Sequence, residues 1–140
     1  MLRAFEAAAA EKRITLTTSL PPAPIQLVCD PARTEMALSN LLDNAIKFTR
    51  PGGAVEIGAA QTSESVQIWV HDDGVGIHAD DMPHIFDRFY RGKNKTASGS
   101  GLGLSIVKSV VEAQGGKAYA RSSLGQGSKF VLEWPSSSQE

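Results

Sequence analysis

The sequence predicts an α+β fold in which a mixed, mostly antiparallel sheet carries its helices on one face. Two hairpin patterns, at residues 54–72 and 117–134, predict antiparallel strand pairs because residues suited to strands flank short polar or glycine-rich turns. Two segments with helical character, 31–48 and 102–114, are each followed by a glycine pair that ends the helix. A chain of 140 residues is long enough to bury one core as a single domain.

The N-terminal part is predicted to hold a helix and two short strands. Residues 1–13 are rich in Ala, Glu, Lys and Arg, which favours helix and suggests the end of an upstream element. The β-branched run 14–18 predicts a strand, and prolines at 21–24 interrupt it before a second short strand at 25–28. We therefore expect a junction at 1–12, a domain at 13–135 and a disordered tail at 136–140.

The longest predicted helix starts at a capping signal. Asp30 is suited to the N-cap, Pro31 to the first helical position, and the Pro51–Gly53 run ends the segment. The remaining elements follow in chain order: strands 54–60 and 65–72, a short helix 79–86, a mobile loop 87–100, a helix 102–114, and strands 117–122 and 128–134.

Composition excludes several classes of function. The formal net charge is −1, so the chain has no overall bias toward nucleic acid. The sequence contains neither an apolar run of about 18 residues, which a membrane span needs, nor a signal-peptide pattern. Cys29 is the single cysteine, which excludes an internal disulfide and fits a reduced, cytosolic setting.

A polar stripe on the helix at 31–48 is unusual in its residue types. Asn40, Asn44 and Lys47 fall within an arc of about 60° on a helix, opposite a leucine-rich side. Asparagine is a poor helix former, but its amide oxygen is a hard ligand suited to Mg²⁺, and a lysine can reach a phosphate. The alternative interpretation is an ordinary amphipathic helix with a solvated face.

A carboxylate at the end of a strand begins the first glycine cluster, Asp72–Ile77. The Asp72 carboxylate can accept a hydrogen bond from the exocyclic amine of adenine. Guanine would instead place a carbonyl oxygen there, and two acceptors would face each other unpaired. Gly74 and Gly76 allow a tight turn close to a flat base. The alternative is an acidic turn after a strand, since Asp-Gly is a common turn dipeptide.

The second glycine cluster, at residues 99–104, leads directly into a helix. Such a helix start exposes backbone N–H groups to an anion, although the spacing fits neither a Walker loop nor a Rossmann fingerprint. The preceding loop carries a concentration of positive charge at Arg88, Arg91, Lys93 and Lys95. This charge is suited to a lid that closes over a triphosphate. The alternative interpretation is a solvated flexible loop.

Taken together, residues 13–135 resemble the catalytic and ATP-binding domain of bacterial sensor histidine kinases. Their superfamily also holds DNA gyrase, the Hsp90 chaperones and MutL. The resemblance rests on an ordered set of motifs: an N box at Asn40–Thr49, glycine boxes at Asp72–Ile77, Gly99–Val107 and Gly125–Ser128, and an F box at Ile85–Arg91.

The resemblance implies a Bergerat-type, two-layer α/β sandwich with a mobile ATP lid. It implies that Asn44 binds Mg²⁺ with help from Asn40, and that Asn44, Lys47 and Arg91 are catalytic, with Lys47 and Arg91 on the phosphates. The other implied nucleotide contacts are Asp72, Gly74, Gly76, Ile77, Tyr90, Gly99, Gly101, Leu102, Gly103 and Leu104.

One departure bears on the reaction. ATP hydrolases of the superfamily place a glutamate four residues before the metal-binding asparagine, where this chain has Asn40, which cannot take a proton from water. The resemblance therefore implies phosphotransfer to a histidine on a separate dimerisation domain, because His71, His78 and His84 lack the phosphoacceptor context.

The resemblance also implies a response regulator as partner, a cytoplasmic location, and no nucleic-acid or membrane contact by this segment. The alternatives are an ATPase, an anti-sigma serine kinase, or a nucleotide-binding module without chemistry.

Overall fold

A single five-stranded sheet organises the part of the chain that the computed structural model describes, residues 3–88 and 103–136. The elements follow in chain order: α1 (Arg3–Glu11), β1 (Thr15–Ser19), α2 (Pro31–Phe48), β2 (Ala54–Gln61), β3 (Ser65–Asp72), α3 (Gly103–Ala113), β4 (Lys117–Ser122) and β5 (Ser128–Pro135). A short 3₁₀ turn, Met82–His84, follows β3. Within these residues no helix is long and apolar enough to cross a membrane.

The strand order in the sheet is β1-β2-β3-β5-β4. β1 pairs in parallel with β2, and the remaining neighbours pair in antiparallel fashion. A parallel pair needs a long crossover, which α2 provides between β1 and β2. The sheet is therefore mixed and mostly antiparallel, as the sequence predicts.

The core lies between the sheet and α2 and α3. Leu41 and Leu42 on α2 and Val107 and Val111 on α3 are each at most 1% exposed. They pack against alternate side chains of the sheet, among them Val55, Val70, Phe130, Leu132 and Trp134. The other face of the sheet carries mainly polar and aromatic side chains, with Val131 between Trp69 and Tyr119, because successive side chains of a strand point to opposite faces.

Helix α2 begins at the predicted cap. The side chain of Asp30 accepts a hydrogen bond from the Arg33 backbone N–H at 3.1 Å, and Pro31 occupies the first helical position. Capping satisfies one of the amide donors that every helix leaves free at its first turn. The sequence prediction of this helix, with its start and its end at Phe48, is confirmed.

Two smaller predictions are wrong. Residues 25–28 form no strand, and Val28 is 80% exposed. Prolines just before this segment remove backbone donors, and the α2 cap follows directly, so the segment is too short to pair. In place of the helix predicted at 79–86 there is only the turn Met82–His84, where the His84 N–H bonds to the Asp81 carbonyl at 2.9 Å with the shorter 3₁₀ spacing.

The N-terminal helix is fastened to the end of α2 by one lysine. The Lys12 Nζ donates hydrogen bonds to the backbone carbonyls of Ile46 and Lys47, each at 2.8 Å. These carbonyls belong to the last turn of α2, where acceptors lack partners within the helix and the dipole is negative. Ala9 of α1 is 2% exposed and lies in the core, so α1 packs as part of this fold.

Replacing Lys12 with Met should lower the free energy of unfolding by about 1–2 kcal/mol, because two carbonyls lose a charged donor. Lys108→Met is the matched control, since Lys108 is an exposed lysine on α3. Urea unfolding of both variants measures the difference. Equal stabilities of the two variants would show that the contact contributes nothing.

Candidate nucleotide-binding site

The carboxylate of Asp72 is buried at the end of β3, on the face of the sheet that meets the helices. Asp72 is 4% exposed, and its Oδ1 accepts a hydrogen bond from the Gly74 backbone N–H at 2.9 Å. Burial raises the pKa of Asp72 above its ordinary value, while hydrogen bonds from the backbone of Gly74 and Ser128 oppose that shift. The side chain is thus a fixed hydrogen-bond acceptor with little access to water.

Three segments of the chain meet around Asp72: the end of α2, the glycine loop 73–77 and the β4–β5 turn. The Val75 N–H donates to the Phe48 carbonyl at 3.2 Å, and the Val75 carbonyl accepts from the Gly125 N–H at 2.7 Å. The first glycine loop is therefore held between α2 and the β4–β5 turn by backbone bonds on both sides.

Two glycines in this frame are required by close approach of the backbone. Gly76 has a φ of +75°, and an added Cβ would lie 2.0 Å from the Ser123 carbonyl oxygen. Gly127 has a φ of +85°, and its Cβ would lie 2.1 Å from the carbonyl oxygen of Asp72. The first and third glycine boxes thus pack directly against each other, and a side chain at either position would displace Asp72 or its loop.

The polar stripe on α2 lies opposite its buried side, as the helical spacing predicts. Asn40 and Asn44 are half-buried and Lys47 is exposed. The Asn40 Nδ2 donates to the Gly103 carbonyl at 3.5 Å, and the Lys47 Nζ lies 3.2 Å from the Asp43 carboxylate. Asn40 therefore joins the stripe to the first residue of α3, which is the last glycine of the second glycine box.

The donor set on α2 is suited to a cation that is shared with phosphates. Among the described residues, no group of three or more His, Cys, Asp or Glu could hold a metal ion. The Oδ1 atoms of Asn44 and Asn40 are hard oxygen donors, and Asn40 uses its Nδ2, not its Oδ1, in the bond to Gly103. One or two such oxygens fit Mg²⁺, which takes most of its ligands from water and phosphate.

Ser122 is a residue of this frame that the sequence did not reveal. Its Oγ accepts from the Ile77 backbone N–H at 2.8 Å, and it lies 2.8 Å from the Gly127 carbonyl and 2.9 Å from the Ser128 Oγ. The hydroxyl thereby links the first glycine loop to the hairpin turn. Ser122 lies opposite Ser128 in the strand register, and knowledge of that register would have indicated the contact. The register depends on the geometry of the β4–β5 turn, which the sequence pattern did not predict.

Several predicted site residues fall outside the described part of the chain: Tyr90, Arg91, Gly99, Gly101 and Leu102, together with Lys93, Lys95 and most of the predicted lid. Of the second glycine box, Gly103 opens α3 and Leu104 is half-buried against the core. Ile77 is also half-buried and packs against the core.

The comparisons with known proteins agree with this geometry. The family described as histidine kinase-, DNA gyrase B-, and HSP90-like ATPase matches residues 29–138. The chain belongs to this family. The adaptive-response sensory kinase SasA of Synechococcus elongatus is 41% identical over 126 residues, which are 89% of this chain and 33% of SasA.

Solved structures of the family share this fold. The mycobacterial sensor histidine kinase MprB matches with a TM-score of 0.83 at 29% identity, covering 96% of this chain and 91% of that one. Full-length ShkA in complex with AMPPNP matches with a TM-score of 0.84 at 31% identity, covering 96% of this chain and 28% of ShkA. The resemblance to the catalytic domains of histidine kinases and the Bergerat-type fold are confirmed.

Membership in the ATPase family assigns ATP as the nucleotide. The chain spans about a third of the length of SasA. It therefore corresponds to the ATP-binding catalytic part of such a kinase.

Proposed function

We propose that this chain donates the γ-phosphate of ATP to a histidine on a separate helical dimerisation domain, and that the phosphohistidine then serves a response regulator. Asn40 is the observation that carries this proposal. It stands where hydrolases of the superfamily place a glutamate base, and its Nδ2 is a donor to the Gly103 carbonyl. An amide cannot take a proton from water, so transfer to another nucleophile is favoured over hydrolysis.

We assign Asp72 to the adenine base. An ionised carboxylate can accept a hydrogen bond from the exocyclic amine of adenine, and burial excludes the water that would otherwise compete. The carbonyl oxygen of guanine would face a second acceptor at this point, and neither could be paired. The fixed orientation of Asp72, given by the Gly74 N–H, supports a preference for ATP over GTP.

We assign the phosphates to the stripe on α2 and to the start of α3. Asn44, with Asn40, would hold Mg²⁺, which when bound neutralises phosphate charge. Lys47 and Arg91 would contact the phosphates, Tyr90 would lie near them, and backbone amides at 99–104 would bind them at the helix N-terminus. The P–N bond to the histidine would form as the bond from the γ-phosphorus to the ADP oxygen breaks, with the reactants held in line.

We further propose that the domain extends over residues 13–135, in a cytoplasmic setting, with residues 1–12 leading from the dimerisation domain. The packing of Ala9 against the core supports a close connection between that segment and the domain. Signals from the rest of the kinase would then arrive through α1, which contacts the end of α2 through Lys12.

The test of the reaction uses one preparation of the protein for three measurements: transfer of label to an acceptor, the acid lability of that label, and ATP hydrolysis without an acceptor. The chain is incubated with γ-labelled ATP and a purified helical histidine domain, and label on the acceptor is tested in acid. Acid-labile label on the acceptor, with slow ATP hydrolysis by the chain alone, is the expected result. Acid-stable label would indicate a serine kinase, and rapid hydrolysis without acceptor would indicate an ATPase.

The metal assignment has its own test. Asn44→Ala should reduce the gain in ATP affinity that Mg²⁺ provides by about tenfold, because one oxygen ligand is lost. Glu35→Ala, an exposed change on the same helix, is the control and should retain the full gain. Calorimetric titration with and without Mg²⁺ measures both, and an undiminished gain in Asn44→Ala would move the metal ligand elsewhere.

A further inference from the structure

The sheet face that points away from the helices carries two neighbouring cations, Lys129 and Arg121, which together are called the cation row. This outer face consists of the odd-numbered side chains of β3, β4 and β5 and the even-numbered side chains of β2, because the alternate side chains enter the core. In the register, Lys129 lies directly opposite His71 on one side and Arg121 on the other. With strands about 4.8 Å apart, the two cations start about 5 Å apart on adjacent strands, and His71 flanks Lys129 on its other side.

This arrangement has a cost in the free domain. Lys129 and Arg121 are permanent cations at directly opposed positions, and like charges there repel each other. Among the described residues, the ion pairs within 4.0 Å do not include either of them. Because this opposed pair of cations lowers the stability of the domain, it indicates a role in binding, not in folding.

The carboxylates on the same face are engaged elsewhere. Glu56 lies opposite His71 in the register, but it accepts a hydrogen bond from the Trp69 indole at 3.1 Å. Glu133 accepts hydrogen bonds from Gln67 and from the Tyr119 hydroxyl, each at 2.9 Å. These bonds direct both carboxylates toward their own neighbours and leave the cation row available to an external anion.

Aromatic rings hold the cations along the surface. The Lys129 Nζ lies 4.7 Å from the centre of the Trp69 ring, and Arg121 Cζ lies 6.0 Å from that of Tyr119. Trp69 in turn lies against Gly58, where an added Cβ would come within 2.4 Å of the ring. Side chains ordered in this way lose less conformational entropy when a ligand binds.

The row also borders a recess. His71, Arg121 and Lys129 line an open cleft of about 220 Å³ together with residues of the β4–β5 turn. The cleft shares the β4–β5 turn with the frame of the candidate nucleotide site, but the carboxylate of Asp72 points to the opposite face of the sheet.

We propose that the outer face is a docking surface for a carboxylate-rich, extended segment of a partner protein. Carboxylates two residues apart on an extended chain point to the same side and are separated by about 7 Å, a distance that the long side chains of Lys129 and Arg121 on adjacent strands can both reach. The whole chain has a net charge of −1, so attraction for an acidic segment is local to this surface.

The test uses a hexaglutamate peptide as the probe, titrated at low salt into protein saturated with ATP, with tryptophan emission as the readout. Trp69 lies in the proposed surface, whereas Trp134 is 2% exposed in the core and gives a constant background. We expect saturable binding that weakens about two- to fivefold for each of Arg121→Gln and Lys129→Gln, the range for exposed charge pairs.

Lys117→Gln is the matched control, because Lys117 lies on the same face and strand but pairs with Glu133 at 3.6 Å. Its effect should stay below twofold. Absence of saturable binding, or an equal effect of Lys117→Gln, would overturn the proposal. So would binding of tripolyphosphate but not of the peptide, which would indicate a small-anion site. Because ATP is present throughout, none of these outcomes bears on the nucleotide site.

A second measurement addresses the role of the cation row in folding. Arg121→Gln removes the repulsion from Lys129, so its midpoint of thermal unfolding should equal or exceed that of the unchanged protein. A clear fall in that midpoint would show that Arg121 is retained for stability, and would contradict the argument from charge repulsion.

Discussion

Asp72→Asn is expected to weaken ATP binding by about 10- to 100-fold, because a buried polar pair is left without a matching hydrogen bond. At neutral pH the nucleotide-free variant should be at least as stable as the unchanged domain. The amide oxygen of asparagine can still accept the hydrogen bond from the Gly74 N–H. Its amide nitrogen, however, would face the exocyclic amine of adenine, donor against donor. The same nitrogen could donate to the carbonyl oxygen of guanine, so the preference for ATP over GTP should shrink.

The stability part of this prediction follows from the raised pKa of Asp72. In the window between the pKa of the unfolded chain, 3.8, and the higher folded value, the folded state binds more protons. Ionised Asp72 therefore costs stability above that window, and the cost disappears as the pH falls through it. Any stability advantage of Asp72→Asn should accordingly be present at pH 7 and vanish in acid, as measured by urea unfolding across pH.

Asp73→Asn is the matched control for both measurements. Asp73 is the exposed neighbour, and its Oδ1 accepts from the Ala54 N–H at 2.9 Å, a bond that an asparagine oxygen can also make. This variant should leave ATP affinity and nucleotide preference unchanged. If Asp72→Asn bound ATP and GTP with the affinities of the unchanged protein, adenine recognition would have to be assigned to other residues.

The elements that sequence reasoning predicted correctly are those fixed by local chemistry. Helix α2 has an apolar period, a cap at Asp30 and a proline at its first position, and each of these signals acts within a few residues. The segment 25–28 has a composition typical of a strand but pairs with no other strand. A strand also needs a neighbouring strand with free backbone donors and acceptors. Composition does not contain that information.

The site shows the same division between local and long-range information. The position of Asp72 at the end of β3 and the polar stripe on α2 could be read from spacing. The sequence also predicted that Gly74 and Gly76 allow a tight turn close to a flat base. The structure adds a second reason for glycine at Gly76, because the Ser123 carbonyl occupies its Cβ position, and the approach to a base stays a prediction. Ser122 was missed because its contact with Ile77 joins residues brought together by strand register.

Gly127→Ala is expected to destabilise the domain and weaken ATP binding, because Gly127 is the residue of the third glycine box that packs against the backbone of Asp72. An added Cβ would lie 2.1 Å from the Asp72 carbonyl oxygen and 2.8 Å from the Asp73 Cα, both of them backbone atoms. The end of β3 would have to move, and with it the carboxylate proposed to recognise adenine. Gly125→Ala is a well-matched control, since its φ of +81° is nearly the same and nothing lies within 4 Å of its Cβ position.

Both variants carry the strain of a left-handed alanine, about 1–2 kcal/mol. Only Gly127→Ala adds overpacking, which should lower its free energy of unfolding by about 1–3 kcal/mol more than that of Gly125→Ala. Urea unfolding measures this difference, and ATP titration should show a clear loss of affinity in Gly127→Ala alone. Equal losses in the two variants would mean that the β4–β5 turn yields freely, and that its contact with Asp72 does not hold the carboxylate in place.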